Sequence, residues 1–151
     1  EGPHATPNSA SILPHVARQA LVALDASSAC VDAIGTPNQS GALMALRYMH
    51  TPDAADALIG RFDMTKDSDT KQRIARSLVR LVNKEKPYKG DTWWGTRPDT
   101  RGPFYYPTAW EKTEVISAAL LKAAKQGDAV LLHVISELAK KDRVEIPGLP
   151  K

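Results

Sequence analysis

The sequence predicts an all-α protein of about seven helices, and two observations support this prediction. Apolar residues recur at spacings of three and four along most of the chain, as they do on one face of a helix. Ser, Thr or Asp beside a Pro or an acidic residue, the usual chemistry of a helix start, recurs at several places. The two β-rich segments, 104–106 and 144–146, are short and bounded by Pro, so a sheet is improbable.

The first three helices follow a lead, residues 1–11, that contains Pro, Ser and Asn and is expected to be flexible. Pro14 suits the first turn of a helix, and one apolar stripe follows. The stripe consists of Leu13, Val16, Ala17, Ala20, Leu21 and Leu24. Asp25 is placed to cap a short second helix that runs through Ile34 and ends at Gly35. Thr36-Pro37 then opens a third helix with Leu43, Leu46 and Met49 on its apolar side.

The other four helices start from similar signals. Thr51-Pro52-Asp53 opens the fourth, and Asp67 or Ser68 caps the longer fifth. Thr108 or a neighbour begins a helix through Gln126, and Gly127-Asp128 stops the chain before the seventh. We therefore expect a helical domain over residues 12–142, with a loop insertion at 86–109 and a tail at 143–151.

The insertion between the fifth and sixth helices carries an unusual concentration of aromatic residues. Six of the nine Phe, Trp and Tyr residues lie between Trp93 and Trp110. Charged residues of both signs alternate with these rings, and Gly and Pro punctuate the segment, which favours one ordered conformation. So much apolar surface is expected to pack on another part of a protein.

A weak internal repeat organises the predicted helices. A small residue followed by Leu and, three positions later, by an apolar residue occurs at 20–24, 42–46, 77–81 and, more loosely, 119–123. The interval from Leu43 to Leu78 suits a two-helix unit of a solenoid, in which each unit buries its apolar face against its neighbour. A plain helical bundle would produce much of the same leucine spacing.

Residues 42–59 and 76–81 resemble HEAT repeats, which form armadillo-type α-solenoids. More specifically, residues 88–106, with the core Trp-Gly-Thr-Arg-Pro-Asp-Thr-Arg-Gly-Pro at 94–103, are similar to a segment in HEAT-like regions of large bacterial multidomain proteins. The resemblance spans about residues 12 to 126. In that family the region accompanies a sugar-dehydrogenase-like β-propeller and a c-type cytochrome module, which implies an exported, periplasmic setting. The resemblance supplies no catalytic residue, and this chain has neither a haem-attachment motif nor propeller repeats.

Three uses of the aromatic insertion remain open from the sequence. Its Arg, Asp and Trp side chains can satisfy one another in a knot that covers the end of the helical stack. They can instead hold a carbohydrate or another small ligand, or they can dock a neighbouring domain or another protein. The candidate binding residues are Trp93, Trp94, Arg97, Asp99, Arg101, Tyr105 and Trp110.

Charge and composition add weaker constraints. The net charge is +3, and Arg73, Arg76, Arg80 and Lys84, with Lys71 nearby, predict one basic row on the fifth helix. We expect this row to be a solvated helix face, and nucleic acid is therefore an unlikely partner. The alternative is an anion-binding groove of the kind found in HEAT-like DNA repair glycosylases. The four His residues are scattered, so no metal site is predicted; His50 is expected to place its charge near the end of a helix, and Cys30 to be buried.

The sequence thus favours a non-catalytic scaffold or interaction domain that contacts neighbouring domains or another protein. We expect it to be a piece of a larger exported redox protein, because it begins at Glu1 and resembles such a region. It contains no apolar run long enough to span a membrane, and no cofactor is predicted. A carbohydrate-binding or small-ligand domain is the alternative, and a nucleic-acid binder is a minor one.

Overall fold

The computed structural model describes residues 9–87, 103–104, 106–126 and 129–150, and within these ranges it is mostly helical. The helices are α1 (Ser9–Ala23), α2 (Ser27–Asp32), α3 (Gln39–Leu46), α4 (Pro52–Met64), α5 (Ser68–Leu81), α6 (Thr113–Lys125) and α7 (Ala129–Asp142). Two short strands, β1 (Lys84–Glu85) and β2 (Pro107–Thr108), lie between α5 and α6. The all-α prediction is confirmed.

Two predicted helix starts are present with their capping hydrogen bonds. The Thr51 hydroxyl accepts a hydrogen bond from the Ala54 N–H at 3.4 Å, and Pro52 is the first residue of α4. The Asp67 carboxylate accepts one from the Thr70 N–H at 2.8 Å at the start of α5. Hydrogen bonding from the side chain of Thr70, and then from its backbone N–H, lowers the pKa of Asp67, because both favour the charged carboxylate. Both caps satisfy N–H groups that have no partner within the helix.

The starts of α2 and α6 differ from the predicted ones. Ala26, without a side-chain cap, precedes α2; Asp25 instead has a positive φ of 46°, and its carboxylate accepts a hydrogen bond from the Thr51 hydroxyl at 3.2 Å. Helix α6 begins at Thr113 rather than near Thr108, because the Thr113 hydroxyl donates to the Val82 carbonyl at 2.6 Å. At α2 a contact distant in sequence recruits the side chain that local chemistry assigned to a cap, and at α6 the predicted Thr108 lies in β2 instead.

The boundaries of α1 and α3 also differ from expectation. Helix α1 begins at Ser9, three residues before the predicted start of the helical domain. Helix α3 begins at Gln39, because the Thr36 hydroxyl accepts a hydrogen bond from the Asn38 N–H and holds residues 36–38 in a turn. Helix α3 ends at Leu46, and Met49, predicted inside it, is buried in the connection to α4.

Gly35 occupies the one position between α2 and α3 where the chain needs a glycine. Its φ is +93°, and a Cβ there would meet the Arg61 guanidinium at 3.3 Å. That guanidinium donates a hydrogen bond to the Ile34 carbonyl at 2.7 Å, so it fixes the end of α2 against α4. The predicted end of the second helix is therefore late: α2 ends at Asp32 rather than at Ile34, and Gly35 makes the turn beyond it.

The helices form two layers with the core between them. In one layer α1 contacts α3, α3 contacts α5 and α5 contacts α7; in the other, α2 contacts α4 and α4 contacts α6. Contacts between consecutive helices, such as α4 with α5 and α6 with α7, join the layers. The largest fully buried side chains include Phe62, Leu46, Leu58, Leu78, Ile116, Leu120 and Ile135. Cys30 is buried as predicted, and burial raises the pKa of its thiol.

Most of the apolar stripe predicted on the first helix faces outward. Of its six members, Leu21 packs against the core, whereas Leu13, Val16 and Leu24 are 64%, 55% and 78% exposed. Ile12 is exposed beside them. Helix α1 instead uses the side that carries Leu21 and Val22 to contact the core. Because α1 is the outermost described helix of its layer, no described helix covers its apolar side.

A small antiparallel sheet forms where none was predicted. Lys84 pairs with Thr108 and Glu85 with Pro107. The pair is too short to leave a period-two signal in the sequence, and one strand contains Pro. It brings the chain that leaves α5 alongside the chain that returns toward α6.

Replacing Ser77 tests the contact between α3 and α5. The buried Ser77 hydroxyl donates to the Leu43 carbonyl at 3.1 Å. We expect Ser77→Ala to lower the free energy of unfolding by about 1 kcal/mol, measured by urea denaturation, because this hydrogen bond is lost in the core. Ser117→Ala is the control, since Ser117 is also buried but its hydroxyl makes no hydrogen bond within the described residues. Equal effects of the two substitutions would contradict a stabilising role for the bond.

Candidate interaction site

Most of the predicted binding residues cannot be placed. Trp93, Trp94, Arg97, Asp99, Arg101 and Tyr105 lie outside the described residues, so the three uses of this part of the insertion stay predictions. Trp110, Phe104 and Tyr106 are described. The site is therefore built from the two ends of the insertion and from the helices beside them.

Trp110 fastens the returning end of the insertion to the end of α5. Its indole Nε1–H donates to the Leu81 carbonyl at 2.7 Å, and its backbone N–H donates to the Thr113 hydroxyl at 2.9 Å. The Thr113 hydroxyl in turn donates to the Val82 carbonyl. These bonds satisfy two carbonyls at the end of a helix, which otherwise have no helical partner. The only hydrogen-bond donor of the indole ring is thus engaged within the protein.

A second set of bonds holds the same end beside β1. The Tyr106 N–H donates to the Glu85 carboxylate at 2.7 Å, and the Lys86 N–H donates to the Tyr106 carbonyl at 2.9 Å. Together with the pairing of β1 and β2, they close the neck of the insertion. The two ends of a connection longer than twenty residues are therefore held side by side.

His50 joins the neck to the start of α4. Its ring packs edge-on against Trp110 and Phe104, with centroids 5.5 and 5.8 Å away, and its Nε2 lies 2.9 Å from the Asn83 carbonyl. Since a carbonyl only accepts, Nε2 carries the proton and donates. Burial lowers the pKa of His50, although the bond to Asn83 opposes the shift. His50 thus lies near a helix end, as expected, since Asn83 follows α5, but burial disfavours the charged ring that was predicted there.

The predicted basic row lies along a depression between α3, α5 and α7, which we call the arginine trough. Its cationic side chains are Arg47, Arg73, Arg76, Arg80 and Lys141. Arg73 and Arg76 are exposed, as predicted, whereas Arg80 is half-buried, with its guanidinium 4.2 Å from the Phe104 ring centroid and 5.4 Å from that of Tyr48. Lys84 lies on β1, and the Lys71 ammonium lies 5.3 Å from the Phe62 ring centroid. The row and the neck meet at Phe104.

Sequence reasoning missed Arg47 as a member of this group. It follows directly after α3, more than twenty residues before Arg73, and only the contact between α3 and α5 brings the two into one depression. A single Arg after an apolar run carries no periodic signal. Only the packing of α3 against α5 shows that Arg47 lies beside the basic row.

Neither a metal site nor a membrane-spanning helix is found among the described residues. They contain no group of three or more His, Cys, Asp or Glu side chains arranged to hold a metal ion. None of their helices combines the length and apolar character needed to cross a membrane. Comparison of the chain with protein-family models, with curated proteins and with solved structures found no match.

Substitutions of Trp110 and Thr113 test the closed neck. Trp110→Phe removes the donor to Leu81, and Thr113→Val removes the hydroxyl between Trp110 and Val82. We expect each substitution to cost about 1–2 kcal/mol of unfolding free energy, because polar groups lose buried partners. The double variant should lose less than the sum, by at least about 0.5 kcal/mol, because both residues serve one network. Strictly additive losses in urea denaturation would contradict this network.

Lowering the pH tests the burial of His50. Because the pKa of His50 is lower in the folded than in the unfolded chain, the unfolded chain binds more protons once the pH falls below about 6.5. Stability contributed by the neutral ring is complete above that pH and is lost as the pH falls toward the folded pKa. We therefore expect the melting temperature to fall between pH 7.5 and 5.5, and to fall less in His50→Gln.

His133→Gln is the matched control for this measurement, since His133 is exposed on α7. It should keep the pH dependence of the unsubstituted chain. If His50→Gln and His133→Gln change the slope equally, the burial of His50 does not govern it.

Proposed function

We propose that this chain is a non-catalytic interaction module built as a HEAT-like stack of helices, whose outermost helix α1 docks onto a helix of a neighbouring domain. The observation that carries the proposal is an exposed apolar face, formed by Ile12, Leu13 and Val16 of α1 and by Leu24 directly after it. Four large apolar side chains on and beside one helix exceed the isolated exposed residues that are normal on a surface.

The layered contacts support a stack and indicate what covers this face. Within one layer α3 lies between α1 and α5, and α5 lies between α3 and α7, so each inner helix is covered on two sides. Continuing the same layer by one helix places a partner helix against the outer side of α1. In a solenoid, each unit buries its apolar face only against the next. The occupant that fits is an amphipathic helix with its own apolar stripe.

The exposed face offers enough apolar surface to drive such docking. Fully burying one Leu, Ile or Val side chain contributes about 1.5–3 kcal/mol relative to leaving it exposed. The four side chains of this face are each more than half exposed, so most of this burial free energy becomes available only when a partner covers them. Part of it offsets the translational and rotational freedom lost on association.

The setting of the module remains a proposal that rests on resemblance. An exported, periplasmic location in a larger redox protein is supported by the similarity over residues 12 to 126 and by no contact in the fold. The carbohydrate alternative depends on residues 93–101 and 105, and the described member of that set, Trp110, uses its indole N–H within the protein. We therefore favour protein contacts over sugar binding.

Binding of the apolar dye ANS tests the exposed face in solution. We expect the unsubstituted chain to enhance ANS fluorescence, and Leu13→Gln/Val16→Gln to lose most of that enhancement with an unchanged far-UV circular dichroism spectrum. The control is Met64→Gln/Val115→Gln, which removes two exposed apolar side chains elsewhere, on α4 and α6. It should keep the enhancement.

Two outcomes would contradict the proposal. Equal ANS signals from all three proteins would mean that α1 presents no special apolar surface. Unfolding of Leu13→Gln/Val16→Gln, with the control still folded, would mean that this face belongs to the core.

A further inference from the structure

The arginine trough concentrates the positive charge of the protein in one place. It consists of two adjoining cavities of about 440 and 380 Å³ that share Arg47 and Arg76. Among the described residues, five cations line it against two carboxylates, Asp69 and Asp142. This excess of three equals the net charge of the whole chain, so the remaining Lys and Arg residues are matched in number by Asp and Glu. A field of one sign in a concave surface attracts an anion.

The two carboxylates leave part of this charge uncompensated. Asp69 pairs with Arg73 at 2.6 Å, and both side chains are largely in solvent. Asp142 lies at the other end, where burial raises its pKa while Arg80, Lys141, Arg47 and Arg76 oppose that shift. Within the described residues no carboxylate lies within ion-pair distance of Arg47 or Arg76.

Arg47 has a buried donor that no hydrogen bond satisfies in the described part of the chain. Its side chain is half-buried, its Nε–H is buried without a hydrogen-bond partner in the described part of the chain, and its Nη1 lies 3.7 Å from the Met44 sulfur. Burial and the nearby Arg76 both lower its pKa. A guanidinium removed from water without a carboxylate destabilises the free protein, and a bound anion relieves that cost.

We propose that the arginine trough binds an extended acidic segment of a partner protein, with carboxylates of that segment held by Arg47 and Arg76. The proposal rests on the function of the chain as an interaction module and specifies the chemistry of a second partner contact. The guanidinium fork pairs with a carboxylate through two parallel hydrogen bonds, so it selects Asp and Glu side chains.

The positions of Arg47 and Arg76 fit an extended peptide. Both residues line each of the two adjoining cavities. An extended segment that follows the trough from one cavity into the other therefore passes both guanidinium groups.

The walls of the trough favour a peptide over a nucleic-acid backbone. Apolar side chains also line the trough: Met44 is exposed and Val134 half-buried, whereas Leu43 and Leu138 belong to the core. Met44 and Val134 can contact the apolar side chains of a peptide, whereas a phosphate backbone leaves them facing charge. The carboxylates of Asp69 and Asp142 repel a continuous row of phosphates, but a peptide can place neutral residues opposite them.

Fluorescence anisotropy with the full chain tests the proposal. The probe is a fluorescein-labelled ten-residue peptide that alternates Glu with Leu or Ser, and the same peptide with Gln for Glu is the neutral comparison. We expect saturable binding of the Glu peptide only, weakening as salt increases. Arg47→Gln/Arg76→Gln should weaken it at least about tenfold, and Arg76→Gln alone, at an exposed position, should weaken it measurably without disturbing the fold.

The control variant removes the same charge from other surfaces. Lys66→Gln/Lys125→Gln changes two exposed lysines outside the trough and should leave affinity within about twofold. No binding of the Glu peptide, equal binding of the Gln peptide, or equal losses in both double variants would overturn the proposal. Tighter binding of a single-stranded oligonucleotide of equal charge, lost in Arg47→Gln/Arg76→Gln, would assign the trough to nucleic acid instead.

The docking face of α1 and the peptide site in the arginine trough can be disproved independently. Leu13→Gln/Val16→Gln should retain peptide binding, and Arg47→Gln/Arg76→Gln should retain the ANS signal. A peptide that does not bind, together with an ANS result as expected, removes the acidic partner and leaves the interaction module. Peptide binding as expected, together with an ANS result that contradicts the proposal, disproves docking through α1 and leaves the peptide site in the trough.

Discussion

The burial of α5 between two neighbours of its own layer, and against the helices of the other layer, is the constraint on which the structure depends. Ile74, Ala75, Leu78, Val79 and Leu81 are all fully buried, so this helix is apolar on more than one side. It contacts α3 and α7 laterally and α4 and α6 across the core. A helix covered from so many directions fixes the positions of its neighbours, and its remaining solvent side carries the arginines of the trough.

The closed neck follows from the same constraint. Helix α5 ends at Leu81 with carbonyls that need partners, and Trp110 and Thr113 supply the donors. Because these donors precede or begin α6, satisfying the end of one helix sets the start of the next. The fold thus holds the two ends of the insertion together through contacts that do not involve residues 88–102.

Local chemistry in the sequence was sufficient for much of the helical framework. The caps at Thr51 and Asp67 each depend on a residue three positions later, and both are present. Capping and turn residues do not indicate which face of a helix another helix covers. Periodicity identified the apolar stripe of α1 but not what covers it, because a stripe has the same spacing whether the covering helix is inside or outside the chain.

The site was less predictable than the helices for the same reason. Thr113 begins α6 because of a carbonyl more than thirty residues earlier, and Arg47 joins the basic row only through the stacking of α3 on α5. The sequence identified Arg73, Arg76 and Arg80 because they share one helix. It also identified Trp110 as important, but for its ring rather than for the hydrogen bond by which the indole fastens the chain.

The outward orientation of α1 has a consequence for the local dynamics of the protein. Its extensive contacts are with α3, and its side chains facing that helix are only half-buried, so α1 can open without disrupting the core around α5. Amide protons in α1 should therefore exchange through local opening, while those of α5 exchange only through unfolding of the whole domain. A docked helix would suppress this local opening first. The least protected helix is thus the one whose exchange rate would report most directly that a neighbour has bound.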